Sequence, residues 1–192
     1  MKKILFIFLT ACFFFSCEKE TIVIPQQHAG RTVLAFFWAD NSLNSNLRNN
    51  IRTMMQGLQA MKDSAALLVY WDGEASDISW PEPCIVEYVT NGQGGINSMS
   101  KEAVNAMIAD QDMSVHDLIS IGNIRKKYPP QTSTEKTVMQ TVIGDMMSVY
   151  PSESYGIIFG SHGSGWLPTI TGTRSIGQDG GRYSSDTALI PE

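Results

Sequence analysis

The order of apolar segments in this 192-residue chain predicts an α/β fold of three layers, a mostly parallel sheet with helices on both faces. Short runs rich in β-branched and aromatic residues alternate with stretches of helical periodicity. These runs are apolar nearly throughout, as expected of strands buried on both faces of a sheet. The chain carries 14 basic and 19 acidic side chains, a net charge of −5, and no basic cluster, so a nucleic-acid partner is not expected.

Residues 1–17 have the composition of a lipoprotein signal peptide. Two lysines precede an apolar run over residues 4–15, which is too short for a permanent membrane span. Ser16 and Cys17 then resemble a lipoprotein processing site, at which Cys17 would carry lipid. The alternative is a plain secretory signal in which Cys17 is incidental. We expect an exported lipoprotein anchored to a membrane of the bacterial cell envelope, with the outer membrane or the cell surface as candidate locations.

The remaining residues divide into a tether and one folded domain. Residues 18–30 combine charged residues, Gln, Pro and Gly without periodicity, which is typical of a linker. Residues 31–192 form the predicted domain. Only Cys84 lies in that domain, so we expect no disulfide within the mature chain.

Four segments are predicted as strands, at residues 32–38, 65–71, 85–89 and 155–159. A helix is predicted from Leu43, after polar residues 40–42 that supply N-cap chemistry. Its apolar stripe consists of Leu43, Leu47, Ile51, Met54, Leu58 and Met61.

Three more helices are predicted further along the chain. One follows Ser98, and capping-box patterns at Ser114-x-x-Asp117 and Thr132-x-x-Glu135 indicate the starts of two others. Pro151 ends the last of them.

Active groups of an open α/β sheet sit beyond the carboxyl ends of its strands. The positions to inspect are therefore Asp40, Asp72 and the segment after Phe159. That segment, residues 160–165, places His162 in a glycine-rich loop. Glycines around the ring let a substrate backbone approach and leave N–H groups able to donate. The alternative is a surface loop in which the glycines only make a turn.

Two segments carry a resemblance to a known family. Residues 155–166, YGIIFGSHGSGW, resemble the histidine motif of clostripain-like cysteine peptidases, relatives of caspases, gingipains and legumains. Residues 31–51 resemble that family's opening strand, Asp-Asn turn and first helix. The resemblance covers about residues 31–192 and implies a caspase-like fold. It also implies a cysteine–histidine dyad that hydrolyses polypeptides after Arg or Lys, with no cofactor.

The resemblance assigns roles to individual residues. His162 matches the catalytic histidine, which exchanges a proton with the thiol and protonates the leaving amine. The backbone N–H of Gly163 matches the oxyanion donor. Asp40 matches a motif position, but we expect a structural, helix-capping role for it.

The chain departs from the family pattern in its cysteines. In the family the nucleophilic cysteine follows a further hydrophobic strand some tens of residues after the histidine, and no cysteine follows His162 in this sequence. Cys84 precedes the histidine, and we expect it to be buried at the opposite end of the sheet. The chain is therefore expected to be the N-terminal part of a peptidase, C-terminally truncated and inactive alone. A C-terminal partner fragment would then supply the cysteine.

Other patterns give weaker predictions. Arg174 and Arg182 lie in a Gly/Ser-rich stretch where self-cleavage is one hypothesis and an uncut loop is the other. His28 and His116 lack metal-ligand spacing, and the Asp110-x-Asp112 pattern lacks the later residues of a calcium loop, so no metal is expected. The alternative function is a catalytically inactive lipoprotein binding module or truncated homologue at the cell envelope.

Overall fold

The structure, a computed structural model, describes residues 29–61, 65–73, 82–162, 175–179 and 182–185. Its strands are β1 Ala29–Ala39, β2 Ala65–Gly73, β3 Cys84–Val89, β4 Asn123–Lys127, β5 Ser152–Gly160, β6 Ser175–Asp179 and β7 Arg182–Ser185. Its helices are α1 Asn44–Ala60, α2 Lys101–Ala109, α3 Val115–Ile121 and α4 Lys136–Val149. Every predicted strand and helix therefore has a counterpart in the structure.

The central sheet has the strand order β4-β3-β2-β1-β5. β1 pairs in parallel with both β2 and β5. β3 is antiparallel to β2 and to β4, so β4 runs in the same direction as β1, β2 and β5. Because only β3 is reversed among these strands, the predicted mostly parallel sheet is confirmed.

Helices cover both faces of the sheet, which confirms the three layers. The apolar sides of α1, α2 and α3 pack on one face, where Phe37, Val69 and Trp71 are buried. α4 packs on the other face through Met139, Val142 and Met146, and the ring centroids of Phe36 and Tyr70 lie 4.5 Å apart there. The long apolar runs of β1 and β2 follow from this double coverage.

The helix starts were predicted with mixed success. At α3 the capping box is confirmed, because the Ser114 hydroxyl accepts from the Asp117 N–H and the Asp117 carboxylate accepts from the Ser114 N–H. At α1 the prediction is wrong, since the N-cap is Leu43 and no side chain caps the helix. The Thr132 box is also wrong: α4 begins after Glu135, again without a side-chain cap, and the Glu135 N–H donates to the Thr132 carbonyl in a turn.

The strands that sequence reasoning missed are short and polar. All five side chains of β4, Asn-Ile-Arg-Lys-Lys, are exposed, so the strand lacks the apolar run that predicts burial. β6 and β7 form a two-stranded antiparallel sheet within the stretch interpreted as a loop. None of the described helices is long and apolar enough to cross a bilayer.

Candidate active site

The candidate site lies where the carboxyl ends of β1, β2 and β5 meet. Phe37 of β1 is in register with Trp71 of β2 on one side and with Gly160 of β5 on the other. His162 lies two residues beyond Gly160, so β5 delivers it to this edge of the sheet. Its side chain is half-buried.

Close packing fixes the end of β5 below the histidine. A Cβ on Gly160 would approach the Phe37 ring to 2.5 Å and the Leu47 side chain to 2.7 Å, so only glycine fits. On the opposite face the Phe159 ring stacks on Trp38, with centroids 5.7 Å apart and planes at 22°. The segment that leads to His162 is therefore held by β1 and α1 on both faces.

The turn between β1 and α1 is hydrogen-bonded to the loop that carries the histidine. The Asn41 amide Nδ2 donates to the Trp38 carbonyl at 2.6 Å and to the Ser161 hydroxyl at 3.3 Å. Its Oδ1 accepts from the Leu43 N–H at 2.9 Å, which makes an Asx-turn. Asn41 thus ties the turn to the residue before His162 and is not a helix cap.

Ser42 contacts the imidazole directly. The Ser42 Oγ lies 2.9 Å from the His162 Nε2. Among the described residues, Nδ1 of that ring has no hydrogen-bond partner. If Nε2–H donates to Ser42, the lone pair of Nδ1 is available to accept a proton, and this nitrogen is left to face a reacting group. Sequence reasoning placed Ser42 among capping residues, although its position beside a parallel strand that carries a histidine could have indicated the contact.

The two aspartates at strand ends differ in burial. Asp40 follows β1 directly and is half-buried. Asp72 is buried on the α4 face, where the Ser133 hydroxyl donates to its carboxylate and lies 2.6 Å from the Tyr70 hydroxyl. Gln131 donates to the same Tyr70 oxygen at 3.0 Å. This buried polar network fixes the loop before α4, which is a structural role.

The predicted position of Cys84 is wrong, although its predicted burial is confirmed. Because β3 is antiparallel, Cys84 lies at the same edge of the sheet as His162 and not at the opposite one. Cys84 is in register with Trp71 of β2. Trp71 is in register with Phe37 of β1, and Phe37 with Gly160 of β5. Three strand spacings of about 4.8 Å place Cys84 roughly 14 Å from β5. It is 1% exposed, so neither distance nor access favours it as a nucleophile.

The other predicted site residues fall largely beyond the described structure. Gly163, Arg174 and Cys17 lie outside the described residues. Arg182 is the first residue of β7, and its backbone pairs with Asp179 of β6. The described residues contain no cluster of three or more His, Cys, Asp or Glu side chains that could hold a metal ion.

The profile of the Clostripain family, a family of cysteine peptidases, matches residues 35–192. The chain belongs to the clostripain family. This confirms the resemblance of the histidine motif and the opening segment. No curated protein matches the chain.

Solved structures agree with this family assignment. One described as a B. fragilis cysteine protease is 27% identical with a TM-score of 0.51, and the match covers 73% of this chain and 95% of that one. A secreted C11 cysteine protease from Bacteroides thetaiotaomicron, in complex with an irreversible peptide inhibitor, is 24% identical with a TM-score of 0.51. That match covers 82% of this chain but 36% of the other, so the chain spans about a third of that protease.

A third structure is a clostripain from Bacteroides thetaiotaomicron ATCC 29148 in complex with the peptide inhibitor BTN-VLTK-AOMK. It is 17% identical with a TM-score of 0.51, and the match covers 74% of this chain and 97% of that one. At this identity the likeness shows the fold alone, a caspase-like α/β sheet.

Proposed function

We propose that this chain is the histidine-bearing part of a cysteine endopeptidase that cleaves polypeptides after Arg or Lys. The observation that carries the proposal is the position of His162, at the carboxyl edge of a clostripain-family sheet with Nε2 against the Ser42 hydroxyl. Specificity for Arg or Lys rests on the family resemblance.

The chemistry divides between His162 and a thiol from another segment. A thiolate attacks the scissile carbonyl carbon, and the resulting oxyanion accepts from the backbone N–H of Gly163. His162 then gives the Nδ1 proton to the leaving amine as the C–N bond breaks, which leaves an acyl-thioester. The imidazole next takes a proton from water, which attacks the thioester, and the thiolate leaves with the acid product released. Ser42 positions the ring for both proton transfers by holding Nε2.

The proposed location of the thiol is a strand added along β5. In the described sheet β5 has a neighbour on one side only, and Ile157 and Ile158 are 45% and 42% exposed on its two faces. Beside Ile158 lies an apolar groove of about 260 Å³, bordered by Met54 and Leu58 of α1 and by Met61, which follows the helix. A parallel strand added to the sheet would pair with β5 and end beside His162. The segment that connects it to the preceding strand would cover the groove.

The assay uses reporter peptides that end in Arg or Lys. The 192-residue chain alone should show no turnover, because Cys84, the cysteine within the described residues, is buried roughly 14 Å from β5. A longer form that carries a cysteine-bearing strand should cleave the reporters, and His162→Ala should abolish this cleavage. Cys84→Ala should have no effect in either form. Cleavage by the chain alone that disappears in Cys84→Ala would reject the proposal.

Lipid anchoring at Cys17 is a separate part of the proposal, supported by the signal-like composition of residues 1–17. Diacylglycerol and N-acyl groups at Cys17 would hold the protein stably in a membrane. Mass spectrometry of the mature N-terminus tests it. An unmodified N-terminus downstream of Cys17 contradicts the anchor but leaves the peptidase proposal intact.

Self-cleavage at Arg174 or Arg182 completes the proposed maturation. Arg182 lies in the β6–β7 hairpin, where a peptidase would have to separate paired strands, whereas Arg174 directly precedes β6. In the longer form, replacing both arginines by Gln should prevent conversion to two fragments on a denaturing gel. Unchanged conversion would exclude this segment as the processing site.

A further inference from the structure

A polar cleft lies between α1 and the connection from α2 to α3. We call it the arginine cleft, and its volume is about 200 Å³. Its polar lining consists of Ser45, Arg48, Asn49 and Arg52 from α1 and of Gln111 and Asp112 from the connection. The four α1 residues share one helix face, because the last three follow Ser45 by three, four and seven residues.

Hydrogen bonds to backbone and amide oxygens hold both guanidinium groups in place. Arg48 Nη1 donates to the Met113 carbonyl at 3.4 Å. Arg52 Nη1 donates to the Asp110 carbonyl at 3.1 Å, and its Nη2 donates to the Asn49 Oδ1 at 2.5 Å. These acceptors are uncharged, so they orient the two cations without neutralising them.

The arginine charges differ in this respect from the three cations of β4. Arg125, Lys126 and Lys127 each lie within 4 Å of a carboxylate. Within the described residues, no carboxylate oxygen lies within 4 Å of Arg48 or Arg52. Arg48 Nη2 and the Gln111 amide also have no acceptor in that part of the chain. The cleft therefore presents open donors beside two guanidinium groups that make no ion pair within the described residues.

The acidic groups nearby limit what the cleft can bind. Asp112 lines it, and the Asp110 carboxylate accepts from the Asp112 N–H at 2.9 Å. These two carboxylates would repel a phosphate or another polyanion more strongly than a single negative charge. A carboxylate pairs well with one guanidinium and an amide donor, so it is the ligand group that this arrangement favours.

The cleft lies within reach of a polypeptide bound at His162. Ser42 contacts His162, and Arg48 and Arg52 follow it by six and ten residues. At 1.5 Å per residue these positions lie about 6 and 12 Å along α1 from Asn44, its first residue, and Ser42 lies two residues before that. An extended peptide covers that distance in about three to five residues.

We propose that the arginine cleft is a substrate subsite that binds the side-chain carboxylate of an Asp or Glu about three to five residues from the scissile bond. This inference rests on the proposed peptidase function for its substrate. All the residues of the cleft belong to this chain, so peptide binding to the cleft can be measured without peptidase turnover.

Fluorescence anisotropy of labelled peptides tests the proposal on the 192-residue chain. Each peptide carries one Arg and a single Glu placed two to six residues away on either side, and each has a twin with Gln in place of Glu. At one or two placements the Glu peptide should bind about two- to fivefold tighter than its twin, the size expected for one partly exposed charged contact.

The variants then assign the preference to the cleft. Arg48→Gln should remove the difference between the twins, whereas Asp112→Asn should enlarge it because one repelling charge is lost. Lys101→Gln, which removes an exposed charge on α2, should leave the difference unchanged. Because Asp112→Asn is expected to strengthen binding, it tests the cleft even if Arg48→Gln fails to fold.

Further peptides separate failure of the cleft from failure of the peptidase. In a second set the Arg is replaced by Ala, so that any preference for Glu reports on the cleft alone. No difference between the twins at any placement, in either set, would overturn the proposal, as would equal effects of Arg48→Gln and Lys101→Gln. Failure of the peptidase proposal is seen separately, as absence of cleavage by the longer form.

Discussion

The two edges of the central sheet present opposite chemistry. At the β4 edge every side chain is exposed, and three consecutive cations reach carboxylates, with Arg125 3.4 Å from Glu87, Lys126 2.5 Å from Asp145 and Lys127 3.0 Å from Glu82. At the β5 edge the exposed central residues are Gly156, Ile157 and Ile158, which carry no charge.

This difference indicates which edge is protected against pairing with a further strand. Charged side chains, lysines above all, protect an edge strand from pairing with another chain. The β4 edge has this protection, whereas β5 has apolar side chains on both faces and beside them the groove along α1. Since β5 also leads into His162, we infer that the edge left open for another strand is the one that ends at the candidate site.

The largest expected effect comes from placing a charge on the open edge. Because an unprotected strand edge can pair with the same edge of a second copy, we expect the chain to self-associate through β5. Ile158→Lys should weaken that association by about tenfold or more, because an Ile contact of roughly 1.5–3 kcal/mol is replaced by repulsion between the two lysines. Sedimentation velocity over a concentration series measures the dissociation constant.

Ile124→Lys is the matched control, because Ile124 is 40% exposed on β4. It should change the association little, since that edge is already charged. If the two variants weaken association equally, or if the unmodified chain is monomeric throughout, the two edges do not differ in the way inferred.

Two glycines on β5 allow the packing at the end of this strand to be compared with the packing at its middle. Gly160→Ala should lower the free energy of unfolding by about 1–3 kcal/mol, because its Cβ would overlap the Phe37 ring and the Leu47 side chain. A Cβ on Gly156 meets nothing within 4 Å, so Gly156→Ala should be close to neutral. Urea denaturation of both variants measures the difference. Equal effects would mean that the end of β5 is not packed more tightly than its middle.

The sequence predicted well the parts of the fold whose side chains are buried. Residues 33–39 of β1 and 65–71 of β2 are apolar because both faces are covered, and the α1 stripe has Leu47, Ile51 and Leu58 in the core. β4 escaped prediction because an exposed edge strand needs no apolar residues. The reversed direction of β3, and with it the edge on which Cys84 lies, depends on pairing that periodicity does not encode.

The candidate site was predicted in part for a similar reason. His162 follows a recognisable buried strand, and the carboxyl ends of parallel strands meet at one edge. Ser42 and Asn41 were interpreted as local capping residues, since sequence separation hides a contact across 120 positions. The arginine cleft joins α1 to a loop some 60 residues later, which no short motif could reveal.

The contact between Ser42 and His162, which lies at the end of the open β5 edge, can be tested directly. Ser42→Ala should remove one hydrogen bond of about 1 kcal/mol from Nε2 of His162 and so change the tautomer balance several-fold. Nitrogen chemical shifts of the imidazole measure this balance, with His162→Gln used to assign the signal. Ser148→Ala on α4, whose hydroxyl donates to the Gly144 carbonyl, is the control. An unchanged His162 signal in Ser42→Ala would remove Ser42 as a positioning residue.

The smallest expected effect concerns the pH dependence of stability at the β4 edge. Burial alone would raise the pKa of Asp145, but hydrogen bonds from Lys126 and Tyr128 and the lysine charge lower it below its usual value of 3.8. A carboxyl whose pKa is lowered on folding stabilises the protein above that usual value, and this contribution is lost as pH falls through the folded-state pKa. Asp145→Asn should therefore destabilise the chain at neutral pH, by less than about 1 kcal/mol because the pair is partly exposed.

As the pH is lowered from neutral to well below 3.8, the Asp145→Asn effect should fade, because the unmodified carboxyl is increasingly protonated as well. Glu153→Gln on β5 is the matched control, since within the described residues Glu153 makes no ion pair. Its effect should stay near zero at both pH values. Thermal unfolding at both pH values measures the two differences. A loss in Asp145→Asn that persists at low pH would show that the carboxylate charge is not what secures the β4 edge to α4.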